Sequence, residues 1–169
     1  MKKLLTEVCA VLAVSVMAEP ADAQVQFGAQ ANYADDFDFG VGARAQFGIG
    51  SLFGEGALEN LTGSVSADIF FPGFCVVDCT YLEFNFNGLY PIEIEDSDLA
   101  PYVGAGLHIG RFSVESGGVT SSNTEAGLNA LGGLNFDLGG LAAFAEAKIE
   151  LGGYEQFILA FGILFGGAD

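Results

Sequence analysis

The stretch Pro101-Tyr102-Val103-Gly104-Ala105-Gly106-Leu107-His108-Ile109-Gly110 separates into two sets when every second residue is taken. Val103, Ala105, Leu107 and Ile109 form one set; Gly104, Gly106, His108 and Gly110 form the other. Strand side chains point alternately to opposite faces, so this stretch predicts a strand with one aliphatic face and one face of almost bare backbone. Glycines inside a strand mark close approach from that side, and the crowded interior of a narrow barrel supplies it.

The same alternation recurs along the chain. Segments 24–33, 39–49, 61–71, 80–90, 101–110 (reaching toward Phe112 or Val114), 126–137, 141–151 and 156–165 each set an apolar face against one of Gly, Gln, Asn, Ser and a few charges. Each is roughly ten residues, the length a tilted strand needs to cross a bilayer. The expected fold is all-β: an eight-stranded antiparallel up-and-down transmembrane β-barrel. Connections fall at the acidic Asp35–Asp38, the Gly-rich 50–60, Pro72–Cys79, the acidic 91–100, the Ser/Gly-rich Glu115–Asn123, the tight turn Gly139-Gly140 and Gly152–Glu155.

Composition agrees. The chain is 51% hydrophobic and 16% charged, with a net charge of −17. A soluble acidic protein needs charge to cover its surface, so these apolar atoms are expected to face something other than water. Met1-Lys2-Lys3, the apolar run Val8–Ala18 and Ala21-Asp22-Ala23 have the anatomy of a secretory signal peptide. The expected division is a cleaved leader at 1–23, with cleavage after Ala18 as the alternative, and a barrel domain at 24–169. Removing the leader takes two of the five Lys/Arg and three of the 22 Asp/Glu, leaving 3 basic and 19 acidic residues. That balance argues against nucleic-acid binding. No later run reaches the roughly 18 apolar residues of a transmembrane helix, and a closed barrel is the other structure that spans a bilayer with every backbone group satisfied.

Aromatics gather near segment ends, as two interfacial girdles would: Tyr33, Phe39, Phe71, Phe112 and Phe157 at one rim, Phe47, Tyr90, Tyr102, Phe136 and Phe165 at the other. The opposite, lumenal face carries Arg44, Asp68, Glu83, His108, Glu146, Lys148 and Glu150. Eight strands enclose a space that side chains just fill, so these groups are expected to be buried together as a polar network of paired charges. Asp68 and Glu83 fall nearly opposite across a hairpin, where a cation from Arg44, Lys148 or His108 is needed between them.

The chain resembles the small eight-stranded outer-membrane barrels of the OmpX and OmpA type. The resemblance covers everything after the leader and rests on the alternating segments, on Leu82-Glu83-Phe84-Asn85-Phe86-Asn87-Gly88-Leu89-Tyr90, on Ala100–Leu107 and on the apolar last strand. It implies a protein of the cell outer membrane of a Gram-negative bacterium, exported through the periplasm, folded by the barrel assembly machinery and surrounded by lipid and lipopolysaccharide, with both termini in the periplasm. A monomer is expected. The chain departs from the family pattern in continuing past Phe165 with Gly166-Gly167-Ala168-Asp169, and in having short external loops.

Chemistry-bearing motifs are sparse. Cys75 and Cys79 share one loop of an exported chain, where oxidation to a local disulfide is expected. A lone His108, without H-x-x-x-H or C-x-x-C spacing, does not make a metal site, and no cofactor or catalytic residue is assigned. The expected function is a non-enzymatic outer-membrane barrel with a structural or interaction role, a filled lumen and no wide pore. Two alternatives stand beside it: a soluble exported lipocalin-like barrel that binds a small apolar ligand, with the two faces exchanged, and an outer-membrane lipid-modifying enzyme using His108.

Overall fold

The computed structural model describes residues 25–54, 56, 58–76, 78–94 and 99–166. The expected leader and its cleavage site, the acidic residues 95–98 and the last three residues lie outside the described residues.

Eight strands form one closed antiparallel barrel in chain order: β1 (Gln26–Ala34), β2 (Asp38–Gly48), β3 (Thr62–Phe70), β4 (Asp78–Pro91), β5 (Ala100–Ser116), β6 (Val119–Asp137), β7 (Ala142–Leu151) and β8 (Phe157–Phe165). β8 returns to pair with β1, from Phe27↔Phe165 to Ala34↔Ile158, so the barrel wall has no open edge. Both described ends of the chain lie at one mouth, called here the terminal mouth. β2 and β4 also end at this mouth and β3 and β5 begin there, and a 3-10 turn at Gly50–Phe53 follows β2.

The two faces are sorted as the alternation requires. On the outer wall Leu107 is 55% exposed, Phe86 48% and Phe161 50%, whereas inward-pointing Glu83 and His108 are 0% exposed. The inward glycines are occupied space seen from the other side. A Cβ on Gly110 would run into the Tyr81 ring and hydroxyl, and one on Gly104 into Leu89 and Leu131. The bare face of β5 therefore exists because neighbouring strands send large side chains over it.

Three layers fill the interior. At the mouth away from the termini, Phe37 of the β1–β2 turn drops between the walls and stacks on Tyr81 with ring centroids 4.0 Å apart. Phe70 and Ile158 join them, with Phe112 and Tyr154 packed alongside. At the terminal mouth, Leu89, Tyr102 and Leu131 form one apolar cluster and Phe144, Ala160 and Leu164 another. The polar network lies between.

Two expectations need correction. Tyr102 and Phe112 do not belong to the outer girdles: both share parity with Gly104 and Gly110 and point inward, Tyr102 being 3% exposed and Phe112 packing on the Phe37 cluster. Tyr33, Phe39, Phe71 and Phe157 do stand exposed on the outside at one rim, as do Tyr90 and Phe165 at the other. The second correction concerns 115–123, read as a Ser/Gly loop. Only Gly117-Gly118 turns, with φ of 59° and 80°, and the strands run on to Ser116 and from Val119. A two-residue turn with both central φ values positive matches the twist of the flanking strands, so the hairpin continues tightly paired.

Candidate functional site: the polar interior

Each lumenal charge is brought inward by strand parity, and the barrel's shear decides which strand it meets across the interior. Arg44 on β2 crosses to Glu146 on β7 in a two-pronged pair, with Nη1 to Oε2 at 2.9 Å and Nη2 to Oε1 at 2.7 Å. The Tyr102 hydroxyl donates to the same Oε2 at 2.9 Å, and the guanidinium lies 4.2 Å from the centroid of the Phe144 ring. A planar fork on a carboxylate, covered by an aromatic face, is the geometry in which Arg cannot be replaced by Lys without loss.

Lys148 makes the second centre. Its Nζ lies 2.6 Å from Glu83 Oε1 and 2.7 Å from Glu150 Oε1, and donates to Asn85 Oδ1 at 2.8 Å. Gln156 bridges the same two carboxylates from the other side, donating to Glu150 Oε2 at 2.8 Å and Glu83 Oε2 at 3.1 Å.

Asp68 is held differently. It accepts from Gln30 at 2.6 Å, Asn32 at 2.7 Å and Ser66 at 2.7 Å, all neutral donors, with a longer contact from Asn85 at 3.3 Å. His108 is fully buried, with Nδ1 2.8 Å from Asn129 Oδ1 and Nε2 4.0 Å from Glu150 Oε2. Asn129 in turn donates to Asn85 and Asn87. All seven lumenal residues named from the sequence are thus buried in one region, while the cross-barrel partners Gln30, Asn32, Ser66, Asn85, Asn129, Gln156 and Tyr102 were not picked out. Their shared signal was available: six have lumenal parity on their own strands, and Gln156 continues that parity one residue before β8.

The residual space within this network is about 10 Å³, about one water molecule. An apolar ligand of lipocalin size does not fit in it, and it offers no aqueous path of porin width. Among the described residues no group of three or more His, Cys, Asp and Glu is arranged to hold a metal ion. His108 reaches neither solvent nor the lipid-facing wall, so it is badly placed to work on a lipid.

Cys75 in the β3–β4 connection and Cys79 at the start of β4 are joined by a disulfide, with Cα atoms 6.2 Å apart. Phe74, next to the bridge, reaches over the plugged mouth to within 6.4 Å of Phe37 and 6.3 Å of Phe112, measured between ring centroids.

A closed eight-stranded barrel with an apolar wall and a charged, filled interior is the fold of the small outer-membrane barrels. Neisserial surface protein A has this fold, with a TM-score of 0.65 and 19% identity over 87% of this chain and 98% of that one. The N-terminal β-barrel domain of Pseudomonas aeruginosa OprF follows at 0.63 and 16% over 85% and 97%. Ail, the attachment invasion locus protein of Yersinia pestis, gives 0.57 and 14% over 85% and 95%. At these identities the likeness is one of fold. No protein-family model matches the chain, and no curated protein sequence matches it.

Proposed function

We propose that the protein is an integral barrel of the bacterial outer membrane with a structural or interaction role, no wide pore and no catalytic activity. The inversion of burial carries this reading: the outer wall exposes Phe86, Leu107, Leu159 and Phe161, while Arg44, Asp68, Glu83, Glu146, Lys148 and Glu150 are buried inside. In water this arrangement would expose Leu107, Phe86, Leu159 and Phe161 while desolvating Arg44, Asp68, Glu83, Glu146, Lys148 and Glu150, two unfavourable choices at once. In a bilayer the first becomes favourable, and the second is confined to pairs inside the barrel.

On this reading the leader directs export and is removed, the barrel assembly machinery inserts the chain, lipid and lipopolysaccharide surround it, and it stands as a monomer with both termini in the periplasm. The plugged mouth with Phe37 and Phe74 then faces outward from the cell. Expression with the leader in a Gram-negative host tests it. The protein is expected in the membrane fraction, and its migration on SDS gels is expected to change on boiling. A soluble periplasmic product that binds an apolar dye would overturn the proposal.

A further inference from the structure

In bacterial outer-membrane barrels the turns on the periplasmic side are short and the outer loops are long. Here the order is reversed. The two widest intervals between successive strands, Gly48 to Thr62 and Pro91 to Ala100, both open at the terminal mouth, whereas Ala34 to Asp38 and Ser116 to Val119 are tight turns at the other mouth. Long connections held on a rigid scaffold are where binding residues concentrate.

The first of these intervals is folded. The Ile49 N–H donates to the Leu61 carbonyl at 2.9 Å and joins its two ends, Leu52 N–H turns back to Ile49 at 3.0 Å, and Leu61 N–H turns back to Leu58 at 3.1 Å. Gly50 lies against the backbone of Glu59, where a Cβ would collide. Closed ends and a compact body are the features of an Ω-loop. The Thr62↔Leu89 pair sets this loop beside the end of β4. There the Ile92 N–H donates to the Pro101 carbonyl at 2.8 Å, so pairing with β5 continues past Pro91 and carries Ile92 and Glu93 beyond the end of the strand.

Between loop and strand end is a cleft of about 350 Å³, lined by Glu59 and Asn60 on one side and by Tyr90, Pro91, Ile92 and Glu93 on the other. Each side brings one carboxylate. Among the described residues, no side-chain hydrogen bond or ion pair occupies Glu59, Asn60, Tyr90 or Glu93. The three described basic residues are elsewhere: Arg44 and Lys148 are inside the barrel, and Arg111 bonds Ser122 toward the other mouth.

We propose that this cleft takes the arginine side chain of an extended segment of a partner protein. Two carboxylates without a local cation call for a positive group. Pro91 and Ile92 suit an apolar stem behind that group, and the Tyr90 ring suits a flat cation. A guanidinium meets all three demands and can fork its N–H donors onto a carboxylate, which an ammonium cannot do. The volume lies near the lower end of the roughly 300–1,000 Å³ of small-ligand sites, so it admits one side chain with its flanking backbone. Leu52 and Phe53 on the loop and Ile94 beyond the cleft are exposed, and they offer apolar contact to residues on either side of the arginine. That favours a peptide segment over a free amino acid. On the membrane reading above, the partner belongs to the periplasm.

The test uses the full-length protein in detergent micelles and a short fluorescent peptide with a single arginine between two leucines, followed by anisotropy against empty micelles. Saturable binding is expected. Citrulline in place of that arginine keeps the shape and removes the charge, and is expected to weaken binding about tenfold or more, with lysine weakening it by a smaller factor. Glu59→Gln and Glu93→Gln are each expected to weaken binding about threefold to tenfold, and Tyr90→Leu about threefold. Glu125→Gln, toward the other mouth, is expected to bind as the parent does. Equal binding of the citrulline and arginine peptides would overturn the proposal, since apolar adsorption would then account for attachment. So would absence of binding, or unchanged affinity when Glu59→Gln and Glu93→Gln are combined. Free arginine that displaces the peptide at equal concentration would overturn the protein partner. Boiling-dependent migration of each variant reports the fold separately, so peptide binding by a protein that fails the membrane test would sink only the membrane reading.

Discussion

Asp68 and Glu83 stand directly opposite each other on β3 and β4, both buried, and the cation between the walls touches only one of them. Lys148 lies 2.6 Å from Glu83, while Asp68 is held by the neutral donors of Gln30, Asn32 and Ser66. Two carboxylates at one register position survive because Lys148 and Gln156 hold Glu83 while neutral donors hold Asp68, with the Asn85 amide reaching both, 2.6 Å from Glu83 Oε1 and 3.3 Å from Asp68 Oδ2. That division makes the network sensitive to the loss of a single partner.

Lys148→Met removes the counter-charge of Glu83 and Glu150 together, and a destabilisation of about 3–5 kcal/mol is expected. Adding Glu83→Gln and Glu150→Gln to that variant should recover most of it, because neutral groups no longer need the cation. Urea unfolding in detergent, followed by loss of the boiling-sensitive band, measures both.

Arg44 and Glu146 should behave as a unit. Glu146→Ala strands a buried guanidinium and is expected to cost about 3–5 kcal/mol, whereas the pair Arg44→Met with Glu146→Leu should cost much less than the sum of the single changes. A double-mutant cycle on the same unfolding signal tests this; strict additivity would mean that the two side chains do not form the cross-barrel pair.

Gly110 tests the reading of glycine as crowded space. A Cβ there meets Tyr81, which is fixed by its stack on Phe37, so Gly110→Val is expected to lose about 1–3 kcal/mol through overpacking. Gly88, where a Cβ comes no closer than 3.9 Å to a neighbour, is the control: Gly88→Ala should be nearly neutral.

The outer wall makes a depth-dependent prediction. Leu107→Arg, with Phe86 and Leu128 as its cross-strand neighbours, is expected to destabilise the barrel in lipid by about 2–4 kcal/mol. Ser113→Arg, on the same face of β5 but close to the hairpin end, should cost about 1 kcal/mol or less. Equal costs at the two positions would argue against a bilayer around β5.

The barrel was legible because its period is two: once Val103, Ala105, Leu107 and Ile109 are separated from the glycines, parity assigns a face to every residue of the strand. The same parity places Tyr102 and Phe112 inside, but their aromatic character at a segment end reads as a girdle. Shape complementarity to Gly133 and to the Phe37 cluster, which no spacing announces, decides their place. Segment 119–124 was missed for the opposite reason. With solvent on both sides of the projecting hairpin there is no apolar face to alternate, so Thr, Ser and Asn there look like a loop. Membership of the polar interior followed from parity, but the pairing of Arg44 with Glu146, 102 residues apart, depends on the stagger of the closed barrel. Phe37 was hidden among the acidic residues of a turn, where an aromatic gives no periodic signal.

Which face meets lipid is the central question, and site-directed spin labelling in bilayers answers it most directly. Single cysteines replacing Leu107 or Phe161 on the wall, in a background lacking the other cysteines, should relax with dissolved oxygen and stay protected from a water-soluble nickel complex. A label replacing Ser66 in the interior should be protected from both. Collision of the nickel complex with the wall labels at the rate seen for an exposed loop would mean that this face is bathed in water, and would contradict the outer-membrane reading.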